Sequence, residues 1–146
     1  MAVAKSFRDL NVYRLAREAA GTVFRVSKSF PKEERFSLTD QIRRSSRAVN
    51  AMLAEAWARR RYKAAFINKI DEALGEAMET QAWLDHALDS GYLPQADFEA
   101  LDASFRSVSA MLARMIDRAG DFCKNASDTD YRTINPRGSE PPITPH

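Results

Sequence analysis

The sequence predicts an all-α protein, an antiparallel up-down-up-down four-helix bundle at residues 7–124 followed by a disordered tail at 125–146. The chain has five glycines, and four of its six prolines lie beyond residue 135, so its body nearly lacks helix breakers. Four stretches of this body carry apolar residues at helical spacing. The connections between these stretches are short, which favours antiparallel neighbours.

The first helix is predicted from about Phe7 to Ser29. Ser6 and Asp9 have the spacing of an N-terminal capping box, with Asp in place of the usual Glu. Phe30-Pro31 ends the helix, because the residue before proline disfavours the α conformation. The face expected in the core carries Leu10, Tyr13, Ala16, Ala20, Val23 and Phe24. Further apolar residues beside this face predict contact with more than one neighbouring helix.

The second helix is predicted from about Leu38 to Tyr62, with a cap-like start at Ser37 and Asp40. Its buried face carries Leu38, Ile42, Ser45, Val49, Leu53 and Ala56. The opposite face carries Arg43, Arg47, Ala51, Ala54, Ala58 and Arg61. This outer face carries basic residues and small alanines, and the alanines let another helix approach it closely.

The third helix is predicted from about Ala64 to Ser90, with Gly91 at the position of a C-terminal capping glycine. Its expected core face carries Ile67, Ile70, Leu74, Ala77, Met78, Gln81, Leu84 and Leu88. The outer face carries Glu72, Glu76, Glu79 and Trp83. A tryptophan on an outward acidic face indicates a contact surface.

The fourth helix is predicted to have Pro94 in its first turn. It has the clearest periodicity in the chain, a heptad pattern typical of a bundle seam. The pattern comprises Phe98, Leu101, Phe105, Val108, Leu112, Met115, Ala119 and Phe122. The segment after about Asn125 is rich in Pro, Ser, Thr and Asp, which predicts disorder.

The composition also predicts a compartment. Cys123 is the single cysteine, which excludes an intramolecular disulfide and fits a reducing environment. The first ten residues contain no apolar stretch typical of a signal peptide. No apolar run approaches the roughly 20 residues of a membrane span. We therefore expect a cytoplasmic protein without a membrane partner.

Charge is distributed unevenly along the chain although its formal net charge is only +2. Residues 1–65 contain 15 Lys and Arg against 6 Asp and Glu, a net charge of +9. Residues 66–146 contain 7 against 14, a net charge of −7. This asymmetry predicts either a basic surface for an anionic partner or a bipolar molecule that pairs with its own copies.

The sequence offers no pattern for catalysis or for a cofactor. A carboxylate-bridged metal site in a bundle needs Glu-x-x-His on two helices, whereas Trp83 precedes His86 by three residues. The three glutamates of the third helix face away from the core, so they are expected to be solvated or salt-bridged. Cys123 has no His or Cys close in sequence that could activate its thiol. We expect a protein that is not an enzyme and binds no metal.

Two arginine clusters are the candidate binding residues. One comprises Arg43, Arg44 and Arg47, and the other comprises Arg59, Arg60, Arg61 and Lys63. Each cluster can contact phosphates, and Trp57 and Tyr62 beside the second can stack on unpaired bases. Solvation remains an alternative, as does pairing of the basic face with the acidic face of a neighbouring copy. That subunit interface would comprise Arg43, Arg47, Ala54, Ala58, Glu72, Glu76, Glu79 and Trp83.

The segment from Phe30 resembles a known family. It reads FPKEERFSLTDQIRRSSRAVNAMLAEAWARR, and EALGEAMETQAWLDHALDSGYL follows later. Together with the opening FRDLNVYRLA, this resembles the four-helix-bundle family named for the open reading frame in 23S rRNA intervening sequences of some bacteria. The matching positions are Phe30, Pro31, Glu34, Phe36, Leu38, Gln41, Ile42, Arg43, Arg44, Ala54, Glu55 and Arg59. The chain departs from the family pattern at Ala48, Val49, Asn50, Met52 and Ala56.

The resemblance implies a four-helix subunit that assembles into a homopentameric ring. It also implies kinship with the accessory proteins of diversity-generating retroelements, which are basic pentamers thought to engage nucleic acid and a reverse transcriptase. No catalytic residue comes with the resemblance. We therefore expect a non-enzymatic oligomeric scaffold or adaptor that binds RNA or DNA through arginines of the second helix. The alternative is a purely protein-binding module whose charge asymmetry serves ring self-assembly.

Overall fold

The computed structural model describes residues 3–124, and these residues form helices without any β-strand. The described α-helices are α1 (Asn11–Ser27), α2 (Asp40–Ala58), α3 (Lys63–Asp89), α4 (Gln95–Asp117) and the short α5 (Ala119–Cys123). Single 3-10 turns lie at Phe7–Asp9 and Lys32–Glu34, and a π-helical turn lies at Arg35–Thr39. The predicted all-α class is confirmed. The predicted disordered tail at 125–146 lies outside the described residues.

The core lies where the four long helices meet. Helix α2 packs most extensively on α3, α3 packs on α4, and α1 contacts both α2 and α4. The largest side chains that are fully buried there come from all four helices and include Val23, Ile42, Leu53, Phe66, Ile70, Leu84, Phe105 and Leu112. Burial of each such side chain stabilises the fold by about 1.5–3 kcal/mol relative to leaving that side chain exposed.

The first predicted helix is divided into a 3-10 turn and α1. The capping box is present, because the Ser6 hydroxyl oxygen accepts from Arg8 N at 3.2 Å and Asp9 Oδ2 accepts from Ser6 N at 3.1 Å. It caps the 3-10 turn and not α1. Leu10 then adopts an extended conformation with ψ 130°, which separates the turn from α1.

The predicted buried face of the second helix is confirmed. All six of its predicted residues are buried, namely Leu38, Ile42, Ser45, Val49, Leu53 and Ala56. Ser37 does not cap the helix, because its hydroxyl donates to the Glu34 carboxylate. The helix ends at Ala58, four residues before the predicted end, because Arg59 leaves the α conformation with ψ 14°. At the centre of the face, the buried hydroxyls of Ser45 and Thr80 share a hydrogen bond of 2.8 Å between α2 and α3.

The predicted core face of α3 is partly wrong. The buried residues are Ala65, Phe66, Ile70, Ala73, Ala77, Thr80, Leu84 and Ala87. Met78 was expected inside but is 55% exposed. Half of the buried residues are alanines, whose small side chains let neighbouring helices approach closely, and the larger Ile67 and Leu74 flank the buried face. Phe24 of α1 was also expected inside and is 37% exposed.

The α3–α4 connection is set by a glycine. Gly91 has φ 77°, in the left-handed region that favours glycine. Tyr92 N donates to Ala87 O at 2.9 Å and Gly91 N donates to Leu88 O at 3.0 Å, which is the Schellman pattern that ends a helix. The heptad of α4 is buried as predicted from Leu101 to Met115. Arg118 interrupts the predicted single helix and separates α4 from α5.

Candidate nucleic-acid interface

Arg44 is the residue through which α2 reaches the acidic face of α3. Its Nη1 donates to both carboxylate oxygens of Glu76, at 3.3 and 3.1 Å, and its Nη2 donates to Glu79. The hydrogen bond to Glu76 is the main cause of an Arg44 pKa raised above its ordinary value. The Glu79 carboxylate also accepts from Trp83 Nε1 at 3.2 Å. This network holds two neighbouring helices together within one chain.

The acidic face of α3 therefore has partners in its own chain. Besides the two glutamates held by Arg44, Glu72 accepts from Lys69 Nζ at 2.8 Å, and Lys69 lies 3.9 Å from Glu55. The sequence left open that Glu72, Glu76 and Glu79 pair with arginines of a neighbouring copy. Within the described chain, Arg44 and Lys69 take these positions, and the subunit interface stays a prediction.

Arg43 and Arg47 are turned toward α1, away from the glutamates of α3. Arg43 Nε donates to the buried Ser27 hydroxyl at 2.8 Å. The Arg43 and Arg47 guanidinium carbons lie 4.7 and 5.4 Å from the centre of the Phe24 ring, and Lys28 Nζ lies 4.8 Å from it. We call Phe24 with these three cations the Phe24 cluster. Cations at such distances are attracted by the negative face of an aromatic ring.

A cleft of about 370 Å³ lies beside this cluster, between α1 and α2. The cleft, called here the α1–α2 cleft, is lined by Tyr13, Arg17, Ala20, Gly21, Phe24, Arg47 and Asn50. Asn50 Nδ2 donates to the Tyr13 carbonyl at 3.0 Å and so ties the two walls together. Phe24 and Arg47 belong to both the cleft and the cluster, so the two form one continuous surface.

The sequence did not identify Tyr13, Arg17, Phe24 or Asn50 as site residues. Tyr13 and Phe24 were assigned to the core, and Asn50 was noted only as a departure from a family pattern. One sequence feature indicated such residues, because the apolar arc of α1 is wider than a single core contact requires. A helix whose apolar arc exceeds its buried face leaves aromatic side chains at the edge of that face.

The second arginine cluster lies in the turn between α2 and α3. The Arg60 guanidinium carbon is 3.6 Å from the Trp57 ring centre, and Arg60 Nε donates to Trp57 O at 2.9 Å. The Arg61 guanidinium carbon is 5.8 Å from the Tyr62 ring centre. Lys63 opens α3 and is exposed. The predicted neighbourhood of arginines and aromatic rings is thus present at this turn.

Cys123 lies near this turn, at the end of α5. Burial raises the pKa of its thiol, and the positive charges of Arg60 and Lys63 partly oppose that effect. A raised pKa keeps the thiol protonated near neutral pH and lowers its reactivity as a nucleophile. Among the remaining predicted interface residues, Ala54 is half-buried, Ala58 is exposed, and Trp83 packs against His86 with ring centres 6.0 Å apart.

The described residues offer neither a metal-ligand cluster nor a membrane-spanning helix. Between residues 3 and 124, no three His, Cys, Asp or Glu side chains lie close enough together to hold a metal ion. Across the same residues, no helix combines the length and the apolar character that a membrane crossing requires. The chemistry that the described surface offers is attraction of anions by arginine and lysine beside aromatic rings.

Comparisons with known proteins were consistent with one another. Residues 8–114 match the family model described as 23S rRNA-intervening sequence protein. The chain is also similar to a crystal structure of a protein of unknown function from the S23 ribosomal protein family of Bacteroides thetaiotaomicron. That similarity has a TM-score of 0.66 and 28% sequence identity, and it covers 73% of this chain and 95% of the other. A comparison with curated proteins gives no match.

Proposed function

The chain belongs to the family of 23S rRNA-intervening sequence proteins, and from this premise we propose that it is a non-enzymatic helical scaffold that binds nucleic acid through α2. The binding surface comprises the basic residues on the α1 side of α2 and in the turn that follows it. Copies of the subunit assemble into a homopentameric ring, as the resemblance to the family implies. RNA and DNA share the phosphate chemistry that this surface recognises.

The proposed subunit is an antiparallel up-down-up-down four-helix bundle. In support, each long helix contacts the next along the chain, and α1 also contacts α4. The pairs Ser45–Thr80 and Glu55–Lys69 join α2 to α3 with residue numbers that rise on one helix and fall on the other. Such an order along two packed helices is that of antiparallel neighbours.

The observation that carries the binding proposal is the separation of the arginines of α2 into two groups. Arg44 is held by Glu76 and Glu79 of α3. Arg43 and Arg47 form no ion pair with any described residue and instead gather around Phe24. Their positive charge is therefore not neutralised within the described chain, and phosphate groups provide the matching negative charge.

The turn after α2 extends the basic surface. Arg59 and Lys63 flank the turn in which Arg60 packs on Trp57. An arginine stacked on tryptophan keeps its planar guanidinium in a fixed orientation beside the aromatic ring. The two basic regions lie toward opposite ends of α2, so an extended polyanion can contact both.

The proposal is tested by fluorescence anisotropy with a structured RNA, a single-stranded RNA and a duplex DNA across a salt series. We expect binding that weakens steeply with salt, because each neutralised phosphate releases counterions. Replacing Arg47 and Arg59 by Gln should weaken binding to single-stranded RNA about tenfold and reduce the slope of log K against log salt by about 1.4.

The matched control replaces Arg106 and Arg114 of α4 by Gln, which removes the same charge from exposed positions away from α2. This variant should retain most of the wild-type affinity. Equal losses in the two variants would mean that net charge alone attracts the nucleic acid. Absence of binding to all three probes at low salt would overturn the binding proposal and leave a protein-binding scaffold.

A further inference from the structure

We propose that the α1–α2 cleft and the adjoining Phe24 cluster bind one unpaired nucleotide of a single-stranded nucleic acid, its phosphate at the cluster and its base in the cleft. The inference rests on the proposed function and specifies the site within the basic surface. It places residues of α1, and not only those of α2, in the binding surface.

The Phe24 cluster has the composition of a phosphate site. Lys28, Arg43 and Arg47 lie within 5.4 Å of one ring centre, and none of them forms an ion pair among residues 3–124. Like charges brought so close repel one another, and the aromatic ring offsets only part of that repulsion. An anion bound between them removes the remaining repulsion and gains charge-assisted hydrogen bonds.

The orientation of one cation is fixed by the protein itself. Arg43 Nε donates to Ser27, whose side chain is buried and whose hydroxyl in turn donates to Phe24 O at 3.1 Å. The Nη groups of Arg43 are not used in any hydrogen bond with a described residue. A guanidinium held in this way loses little further side-chain entropy when it binds a phosphate.

The adjoining cleft has the chemistry of a base pocket. Its wall carries the aromatic side chains of Tyr13 and Phe24, which offer apolar surface to a planar base. Asn50 uses one amide N–H for the Tyr13 carbonyl and keeps its amide oxygen for a donor on a base edge. Arg17 stands on the same wall and extends the positive charge along the backbone of the ligand.

This combination favours an unpaired nucleotide over two other anionic partners. In a duplex the base faces are stacked on one another and cannot enter a cleft between two helices. An acidic peptide would satisfy the cations but would leave the aromatic wall without a planar partner. The proximity of three cations to an aromatic cleft is matched by a ligand that carries a phosphate and a planar ring in adjacent positions.

The first test is photo-crosslinking with single-stranded RNA that contains 5-iodouridine, followed by trypsin digestion and mass spectrometry. We expect the crosslink in the peptides that contain Tyr13 and Phe24, residues 9–14 and 18–25. A crosslink confined to the peptides with Trp57 or Tyr62 would overturn the cleft proposal and leave the proposed function in place. Absence of RNA binding by the wild-type protein would overturn both the cleft proposal and the proposed function.

The second test compares variants by anisotropy on single-stranded and duplex probes. Phe24→Leu and Arg17→Gln should each weaken binding to single-stranded RNA by about fivefold or more and change duplex binding less than twofold. Arg17 is exposed, so Arg17→Gln is expected to keep the wild-type melting temperature. Phe24→Leu removes the ring that offsets repulsion among three cations, so a small decrease in its melting temperature is expected and its affinity is measured well below that temperature. Arg106→Gln on α4 removes an equal charge and should leave both affinities unchanged.

A competitor completes the design. A polyglutamate peptide added at the same charge concentration as the RNA should displace little of it, because the peptide lacks planar rings. Full displacement by polyglutamate, together with unchanged RNA affinity of Phe24→Leu, would show that the surface recognises acidic protein segments. That result, obtained with folded variants, would overturn the proposed nucleotide site.

Discussion

Gly91 is a residue whose identity is required by its backbone conformation. With φ 77° it occupies the left-handed region, where a Cβ atom costs about 1–2 kcal/mol. We predict that Gly91→Ala lowers the free energy of unfolding by about that amount, measured by urea denaturation. The space around the residue is open, since a Cβ atom at this position would meet no other atom within 4 Å, so the cost is one of conformation and not of packing.

Gly75 provides the control on the same helix. It lies inside α3 without a positive φ, and a Cβ there also meets nothing within 4 Å. Gly75→Ala should raise the free energy of unfolding by about 0.5–1 kcal/mol, because alanine has the better helix propensity. If both substitutions changed stability in the same direction, the role assigned to the Gly91 conformation would be wrong.

Individual residues also show which structural features a sequence pattern can predict and which it cannot. Gly91 was recognised from its position after an apolar run, and its role in ending α3 is confirmed. Phe24 and Met78 were assigned to the core because they are large and apolar at helical spacing, yet both are exposed. A single sequence tells that a residue is apolar but not whether a neighbouring helix covers it.

At the scale of elements, the Arg44 network joins α2 to α3. The Arg44 side chain is 47% exposed, so solvent screens its attraction to Glu76 and Glu79. We predict a coupling free energy of about 0.5–1 kcal/mol between Arg44→Gln and Glu76→Gln in a double-mutant cycle of urea unfolding. The coupling should fall toward zero in 1 M salt, where the Debye length is about 3 Å.

An exposed ion pair on α4 serves as the comparison for the Arg44 network. Arg106 lies 3.6 Å from Asp102 on α4, and the arginine side chain is 69% exposed. The cycle of Arg106→Gln and Asp102→Asn should give the smaller coupling, because this pair is a single contact one turn apart. A coupling at Arg44 no larger than at Arg106 would remove the reason for regarding Arg44 as structural, and Arg44 would rejoin the candidate binding residues.

The helices differ in how well their packing followed from the sequence. Helices α2 and α4 carry Leu, Ile, Val and Phe at regular spacing, and their buried faces were predicted correctly except at Phe98, which is half-buried. The buried face of α3 is formed largely by alanines and Thr80, which have weak hydrophobic signals, so the flanking larger residues determined the prediction. The link from Arg44 to Glu76 spans 32 residues and depends on the relative rotation of two helices, which no local pattern contains.

At the scale of the whole molecule, the charge asymmetry left two interpretations open, a basic surface for an anionic partner and attraction between the basic half of one copy and the acidic half of another. Within the described chain, part of that attraction is already satisfied where Arg44 of α2 meets the glutamates of α3. What remains is a net basic surface on the α1 side of α2, and exposed apolar side chains elsewhere.

These exposed apolar side chains determine what we predict for the proposed ring. Phe36 is 74% exposed and Met78 is 55% exposed, and our prediction places both in the contact between copies. We predict that the wild-type protein sediments with about five times the 16.5 kDa chain mass and does so equally in 0.1 and 0.5 M NaCl. Met78→Glu should shift it toward a single chain, because a buried unpaired charge is costly.

Ala110→Glu adds the same charge to an exposed position of α4 and should leave the assembly unchanged. The salt series distinguishes the two origins of assembly, since salt screens contacts between exposed charges but does not weaken apolar ones. Dissociation in 0.5 M NaCl, with Met78→Glu still assembled, would assign the subunit contact to Arg43 and Arg47 pairing with acidic residues of a neighbouring copy. The basic surface would then be covered in the ring, and the nucleotide site would require the dissociated chain.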